Sequence, residues 1–300
     1  MFAKKIPMLH VAIASYISTG AYDANALDED ALAKAILTQL GISHEIVAWS
    51  APEVDWSRFS HVLIKSTWDY FDHYPAFLAW IAHLEKLGIP TLNEKEILRW
   101  NSSKSYLMEI ESSGFPCIAG KLLPKGSMLD LPRFRQDLGS DNLVFKPLVS
   151  GGANKTCKLK KEGDSTLERQ VASWLQEEDF LVQAFIQEIE HVGEYSLIFF
   201  NEVFSHAVLK SPAASDFRVQ HYYGGSIRAM EPREAMLSAA QALVDRFAKN
   251  TLYARVDGVE INGVFHLMEL ELIEPYLFLG LADQAIPNYQ AALKKRLLGK

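Results

Sequence analysis

The chain has 300 residues, enough for two domains or three small ones, and 49% of them are hydrophobic against 22% charged. That balance is typical of a globular protein with a substantial core. The 30 Lys and Arg residues against 37 Asp and Glu give a net charge of −7, which argues against a nucleic-acid surface. No apolar run approaches the roughly 18 residues of a membrane helix, and the two cysteines favour a reducing compartment. We therefore expect a cytosolic protein without nucleic-acid or membrane partners.

Residues 1–95 predict an α/β domain with a doubly wound parallel sheet, because apolar strand patterns alternate there with helical ones. The predicted strands cover 9–14, 44–49 and 61–66, and the predicted helices cover 28–40 and 74–88. Functional loops of such sheets lie at the carboxyl ends of the strands. The loops 18–25 and 66–74 meet that condition.

Residues 96–182 predict a small α+β module. Helical patterns fall within 96–114 and near 131–138 and 164–176, and strand patterns near 117–123, 142–149 and 156–161. A glycine-rich loop, "SGGANKT" at 150–156, connects the last two strands. Such a loop is flexible and lets the backbone approach a ligand closely.

Residues 183–300 predict a module built on antiparallel strands. The first strand pattern, at 179–186, leads into this module. Further strand patterns lie near 195–201, 203–210 and 216–220. A long helix at 231–249 and a hairpin at 252–272 follow.

The hairpin carries an unusual number of carboxylates in an apolar setting. Residues two apart in a strand share a face, so Glu269 and Glu271 point the same way. Whether Asp257 and Arg255 join them depends on the turn. A two-residue turn at Asn262–Gly263 would put Asp257 on the opposite face.

A three-residue loop with a bulge would instead pair residue 260 with 264. In that register Asp257 lies across from Leu267, and Arg255 lies across from Glu269. We expect this second turn, because it brings all four charged residues to one face.

Three carboxylates on one face repel one another unless a cation neutralises them. A Mg²⁺ or Mn²⁺ ion would do so, because these ions prefer oxygen ligands. The alternative is a solvated strand face that Arg255 neutralises through salt bridges. The hairpin by itself does not decide between these two interpretations.

Two further segments have both a functional and an ordinary interpretation. In "VFKPLVSGGANKT", Lys146 ends an apolar strand before Gly151 and Gly152, which suits phosphate binding but is also common in surface loops. In 206–225, Lys210 and Arg218 suit either an anion site or a β-hairpin with exposed cations.

Together these motifs resemble the ATP-grasp superfamily, specifically its glutathione-synthetase-like branch, over residues 95–280. "KPLVSGGA" is similar to the lysine strand and glycine lid, "VQAFI" to the adenine hinge, and "GEYSLIFF" to the strand whose leading acid reaches the ribose. "FRVQHYYGG" resembles an Arg-x-Asn…Gly-Gly segment with Gln220 in place of Asn, and "MELELIEP" resembles a Glu-x-Asn strand with Glu271 in place of Asn. "STWDY" and "ELELIEP" also resemble the subgroup that contains the cyclo-ligase of D-cycloserine biosynthesis.

The resemblance implies an ATP-grasp fold and a set of site residues. The implied ATP-binding residues are Lys104, Lys146, Gly151, Gly152, Gln183, Ala184, Phe185, Ile186, Glu194 and Lys210. The implied ligands of Mg²⁺ or Mn²⁺ are Asp257, Glu269 and Glu271, and the implied catalytic residues are Arg218 and Arg255. The substrate-binding residues that we expect are Ser66, Thr67, Trp68, Asp69, Gly224 and Gly225.

The implied reaction activates a small-molecule carboxylate as an acylphosphate and joins it to an amine. Asp69 would bind an amino group, and the lid at 150–156 would exclude water. Ring closure within one substrate is an alternative outcome, as is a regulatory protein that binds ATP without turnover. Related ligases are often dimers, so a homodimer is possible. We place Glu274 outside the metal site, because it faces away from Glu271 if the strand continues.

Overall fold

The computed structural model describes residues 9–17, 23–212 and 225–299, with side chains described throughout except at 23–28. The described residues form three sheets, one parallel and two antiparallel, with helices packed against them. Within these ranges, no helix has both the length and the apolar character that a bilayer crossing requires.

The N-terminal sheet is parallel, with its strands in the order β2-β1-β3. Its elements are β1 His10–Ser15, α1 Asp23–Gln39, β2 Ser43–Ala48, a 3₁₀ turn Trp56–Arg58, β3 His61–Ser66 and α2 Tyr74–Lys86. Strands β1 and β3 are buried at every position but the first, because helices cover parallel sheets on both faces. The predicted parallel sheet is confirmed.

A four-stranded antiparallel sheet follows, with the strand order β4-β7-β5-β6. Its strands are β4 Gly120–Leu123, β5 Leu143–Pro147, β6 Cys157–Leu159 and β7 Phe180–Ala184. The helices of this region are α3 Lys95–Asn101, α4 Tyr106–Ser112, α5 Leu131–Leu138 and α6 Ser165–Trp174. Aspartates cap the last two: Asp130 accepts from the Arg133 N–H, and Asp164 accepts from two N–H groups of α6.

Over the described ranges, the third sheet has five antiparallel strands in the order β10-β9-β8-β11-β12. Its strands are β8 Glu194–Phe200, β9 Val203–Ser211, β10 Ser226–Met230, β11 Tyr253–Ile261 and β12 Val264–Glu271. The helices are α7 Glu188–His191, α8 Glu234–Phe247 and α9 Ala285–Leu298. The strand predicted at 216–220 lies outside the described residues, and β10, α7 and α9 were not predicted.

The turn of the β11–β12 hairpin differs from our expectation. Ile261 pairs with Val264, so the turn has two residues and the expected pairing of 260 with 264 is wrong. Asn262 and Gly263 both have positive φ, 50° and 81°, as a type I′ turn requires. The predicted bulge is therefore absent from the turn itself.

A bulge occurs further along the hairpin, at Met268. Gly258 pairs with Leu267, but the next residue, Asp257, pairs with Glu269. The extra residue reverses the alternation of β12. Leu267 consequently points to the α8 side of the sheet, whereas Glu269 points to the other side together with Asp257.

One apolar cluster joins the N-terminal sheet to the third sheet. It contains Val11 and Leu63 from the parallel sheet, Ile198 from β8 and Tyr289 from α9. All four are 0% exposed. The segment 277–279 after β12 also packs into this cluster. This shared core holds the end of β12 against the N-terminal sheet.

Candidate active site

A cavity of about 720 Å³ opens among the three sheets. Its walls come from the segment after β3, from the glycine loop between β5 and β6, from the end of β7, and from the face of the third sheet that carries the acidic residues. The segment 273–281 after β12 completes the lining. This volume suits a nucleotide or a substrate of similar size.

Arg255 is the centre of a buried ionic network in this cavity. Its Nε lies 3.0 Å and 3.1 Å from the two carboxylate oxygens of Asp257, and its Nη2 contacts Asp257 at 2.8 Å. The same Nη2 donates to Glu271, and Nη1 donates to the Tyr276 carbonyl at 3.0 Å. The planar guanidinium therefore fixes both strands of the hairpin and the segment that follows.

Asp257 is held by further groups from β8 and β9. Ser196 donates to its Oδ1 at 2.6 Å, and the Lys210 ammonium lies 3.2 Å from its Oδ2. Lys210 also pairs with Glu194. Burial by itself would raise the pKa of Asp257, but Arg255 and Lys210 hold that pKa below its ordinary value.

Lys104 and Lys146 approach Glu269 from the side of the four-stranded sheet. Lys104 Nζ lies 3.0 Å from Glu269 Oε1 and 2.7 Å from the Ser150 carbonyl of the glycine loop. Burial opposes ionisation of Glu269, yet Lys104 and Lys146 lower its pKa. Burial lowers the pKa of Lys146 to about 8, although Glu269 opposes this shift.

The described lining of the cavity has more carboxylates than cations. The carboxylates are Glu194, Asp257, Glu269, Glu271 and Glu274, and the cations are Lys104, Lys146, Lys210 and Arg255. Burial raises the pKa of Glu271 to about 7, and the carboxylates of Asp257 and Glu269 add to that shift against the effect of Arg255. The described lining therefore holds one more carboxyl group than cations, and the pKa values of Glu271 and Glu274 are raised above the ordinary value.

The predicted hinge and lid both line the cavity. Gln183 and Ala184 end β7, and Phe185 and Ile186 follow it, presenting backbone and apolar groups. In the glycine loop, Gly151 packs against the ring of Phe71, so closely that a Cβ at residue 151 would lie 2.6 Å from Phe71 Cε1. The lid thus contacts the segment after β3 directly.

Only part of the predicted substrate site reaches the cavity. Trp68 and Gly225 line it, but Ser66, Thr67 and Asp69 do not. Ser66 is 1% exposed and donates to Asp30 at 2.5 Å, and Thr67 is 0% exposed. These positions do not support direct substrate contacts.

Asp69 forms a hydrogen bond within the protein. The Trp49 indole donates to Asp69 Oδ1 at 2.5 Å, so this carboxylate fixes the segment after β3. Arg218 and Gly224 lie outside the described residues, as does most of the loop 18–25.

Sequence reasoning missed two residues of the site. Ser196, which donates to Asp257, was a visible polar residue inside the apolar strand "GEYSLIFF". Glu274 lines the cavity even though we placed it outside the metal site. The strand ends at Glu271, so alternation does not extend to residue 274.

The sheet orders, the glycine lid and the facing set of lysines and carboxylates define an ATP-grasp ligase. The chain belongs to the family described as prokaryotic glutathione synthetase, ATP-grasp domain, whose model matches residues 113–279. It is an ATP-dependent carboxylate–amine ligase, and the resemblance seen in the sequence is confirmed.

A second family model, the N-terminal domain of D-cycloserine synthetase DcsG, matches residues 11–93. The cycloserine biosynthesis protein DcsG of Streptomyces lavendulae is 27% identical over 277 residues, which are 86% of this chain and 90% of that protein. The chain is thus similar to D-cycloserine synthetase DcsG both in its N-terminal region and over most of its length.

Two solved structures are similar in fold. A crystal structure of D-cycloserine synthetase DcsG superposes with a TM-score of 0.81 at 24% identity, covering 96% of this chain and 99% of that one. D-alanine–D-alanine ligase from Bacillus anthracis superposes with a TM-score of 0.69 at 16% identity, covering 97% of this chain and 96% of that one.

Proposed function

We propose that this ligase activates the carboxylate of a small molecule or peptide as an acylphosphate, and then joins the acyl group to an amine-type nucleophile. The observation that carries the proposal is the convergence of Arg255, Lys104 and Lys146 with the acidic face of the hairpin on one cavity. These groups suit charge neutralisation during phosphoryl transfer, for which the protein needs little covalent chemistry.

ATP would lie between the hinge and the lid. Lys104 and Lys146 would bind its phosphates together with the backbone of Gly151 and Gly152. The backbone of Gln183, Ala184, Phe185 and Ile186 would meet the adenine. Glu194 would accept from the ribose, with its carboxylate held by Lys210. The partly buried Lys146 supports this assignment, since a phosphate would offset its desolvation.

Asp257, Glu269 and Glu271 would hold Mg²⁺ or Mn²⁺. All three line the cavity, and they are oxygen donors of the type that these ions prefer. As described, Arg255, Lys210 and Lys104 pair with them, and no described trio of acidic, His or Cys residues forms a compact metal cluster. These carboxyl groups nevertheless fit a divalent ion, because the ion would favour their ionised forms and would offset the charge of a bound triphosphate.

A bound Mg²⁺ supplies charge neutralisation for the phosphates. The substrate carboxylate oxygen would attack the γ-phosphorus, and ADP would leave. The amine nitrogen would then attack the acyl carbon and lose a proton as phosphate leaves. Arg255 would stabilise the negative charge of the acylphosphate, and the lid would keep water from hydrolysing it.

Ring closure within one substrate is the second candidate. The relative that is named a cycloserine biosynthesis protein matches over 90% of its length, and the DcsG N-terminal model also matches. A regulatory role without turnover is disfavoured, because binding alone does not need so complete a set of charged residues. A homodimer and a cytosolic location stay predictions, and light scattering after gel filtration tests the first.

A screen of ATP turnover tests the proposal. Purified protein is incubated with ATP, Mg²⁺ and panels of amino acids and dipeptides, while ADP, phosphate and product mass are measured. Two joined substrates indicate ligation, and one substrate minus water indicates ring closure. Absence of turnover across the panels, with ATP still bound, would favour the regulatory alternative.

The variant Glu271→Gln tests the metal site. We expect turnover to fall at least about tenfold, or about 1.4 kcal/mol, and the Mg²⁺ requirement to rise, because a charged ligand is lost. The matched control is Glu260→Gln on the same hairpin, where the carboxylate pairs with Arg233 outside the cavity lining. Unchanged kinetics at limiting Mg²⁺ would remove Glu271 from the metal site.

A further inference from the structure

Glu274 is the acidic residue of the cavity that the proposed chemistry does not use. It follows the end of β12, and its carbonyl accepts from the Trp68 indole at 3.0 Å. Glu274 is one of the residues that line the cavity. With the described residues, its carboxylate makes no hydrogen bond or ion pair, whereas Asp257, Glu269 and Glu271 are all paired with cations.

No cation of the described lining forms an ion pair with Glu274, although Lys104 and Arg255 lower its pKa. Lys210 pairs with Glu194 and Asp257, and Lys104 pairs with Glu269. The carboxylates that act on Lys146 are Glu269 and Glu194. Burial raises the pKa of Glu274 to about 8, with the Glu271 carboxylate as the next cause. Glu274 is half-buried, and a ligand that brings a positive charge would favour the ionised form of its carboxyl group and be bound there.

The surroundings of Glu274 suit an ammonium group. Trp68 and Tyr70 line the same cavity from the segment after β3, and aromatic rings attract cations. Asp69, the residue that we expected to bind an amino group, is instead engaged by Trp49. With an ammonium group bound beside it, Glu274 would ionise and supply the negative charge that Asp69 does not offer.

We infer that Glu274 is a specificity-determining residue that binds the ammonium group of the carboxylate substrate beside Trp68 and Tyr70. The bound group is not the attacking amine, because a protonated nitrogen has no lone pair for attack. The substrate that is activated would therefore be an amino acid or a peptide with a free amino group, with its carboxylate directed to Arg255. This inference rests on the proposed function.

A hydroxamate assay tests the inference without knowledge of the second substrate. Hydroxylamine replaces the amine nucleophile and traps the acylphosphate, with ATP and Mg²⁺ present. The probes are the common amino acids of both hands, each compared with its matched analogue in which the amino group is acetylated, replaced by hydroxyl or removed. We expect at least about tenfold higher kcat/KM for the free amino acid.

The variant Glu274→Gln should lower kcat/KM for the preferred amino acid at least about tenfold, mainly through KM, and leave the values for the analogues unchanged. Glu274→Asp, which keeps the charge, should recover part of the loss. The control is Glu53→Gln at an exposed glutamate of the N-terminal region. ATP affinity and the melting temperature show that each variant is folded.

The outcomes separate this inference from the proposed function. Equal hydroxamate formation from amino acids and their analogues, or an equal loss for both in Glu274→Gln, would overturn the inference alone. Hydroxamate formation from no carboxylate, with ATP bound normally, would overturn the proposed function and the inference with it.

Discussion

At the scale of single residues, neighbouring carboxylates of the hairpin have opposite electrostatic environments. Arg255 and Lys210 keep Asp257 ionised against the effect of burial. Burial raises the pKa of Glu271 to about 7 and that of Glu274 to about 8. Groups whose pKa values are pushed apart in this way often have different tasks at one site. We assign the ionised Asp257 to the proposed metal site and Glu274 to recognition of the substrate.

The raised pKa of Glu274 predicts a pH-dependent penalty on stability. An ordinary glutamate titrates at 4.5, but Glu274 titrates at about 8 in the folded protein. Between these values the folded protein keeps a proton that the unfolded chain has released, so the free energy of unfolding falls as the pH rises through this window. Glu274→Gln mimics the protonated form. We expect its melting temperature to exceed that of the wild type by at least about 4 °C at pH 9.

The measurement is thermal unfolding of the nucleotide-free protein in EDTA, from pH 5 to pH 9. The difference between variant and wild type should shrink towards zero at pH 5. The titratable and charged groups around residue 274 are the same in both proteins, namely Glu269, Glu271, Lys104, Arg255 and Tyr70. A difference that does not change with pH would contradict the burial of this carboxylate.

At the scale of elements, the hairpin shows why a sequence pattern can identify a site and still give the wrong register. Strict alternation puts Leu267 and Glu269 on one face, but Leu267 and Leu270 both pack in the α8 core. The bulge at Met268 satisfies both the core and the cavity. Burial by distant elements decides where such a bulge falls, and local turn preferences do not contain that information.

The glycine lid was visible in the sequence, but its docking partner was not. Gly151 meets Phe71, 80 positions earlier, and a methyl group there would lie 2.6 Å from Cε1 and 3.0 Å from Cδ1 of the ring. We predict that Gly151→Ala shifts the lid and lowers kcat/KM for ATP about tenfold, because misplacement of groups that close on a substrate is costly. Steady-state kinetics with varied ATP measures this effect.

The double variant Gly151→Ala/Phe71→Leu provides the control. Leucine removes the ring edge that the added methyl group meets, so most of the lost activity should return. Phe71→Leu alone reports the effect of the ring itself. If the double variant is no better than Gly151→Ala, the contact with Phe71 does not set the position of the lid.

At the scale of the whole molecule, local signals were sufficient for most helices and strands but not for the roles of the loop after β3. "STWDY" has the polar residues of a substrate loop, yet Ser66 and Asp69 are bound within the protein. Their partners, Asp30 and Trp49, come from other elements of the N-terminal unit. Which polar groups of a loop face a cavity depends on tertiary contacts that one sequence does not reveal.

A buried ion pair connects the N-terminal sheet to the segment after β12. Lys65 Nζ lies 2.6 Å from Glu29 Oε2 and 3.3 Å from the Pro275 carbonyl, and both side chains are at most 3% exposed. Glu29 also accepts from the N–H groups of Leu277 and Leu279. This network positions the segment that carries Glu274 and Tyr276. The N-terminal sheet therefore helps to set the geometry of the site.

We predict that Lys65→Met lowers both stability and activity. The substitution leaves the Glu29 carboxylate buried without a cation, which costs roughly 3–5 kcal/mol. The expected fall in melting temperature is about 10 °C, and kcat/KM should also fall at temperatures where the variant is folded. The exposed Lys86→Met is the matched control.

Adding Glu29→Gln to Lys65→Met removes the unpaired charge and should restore part of the stability. If the double variant is less stable than Lys65→Met, the ion pair is not the source of the loss.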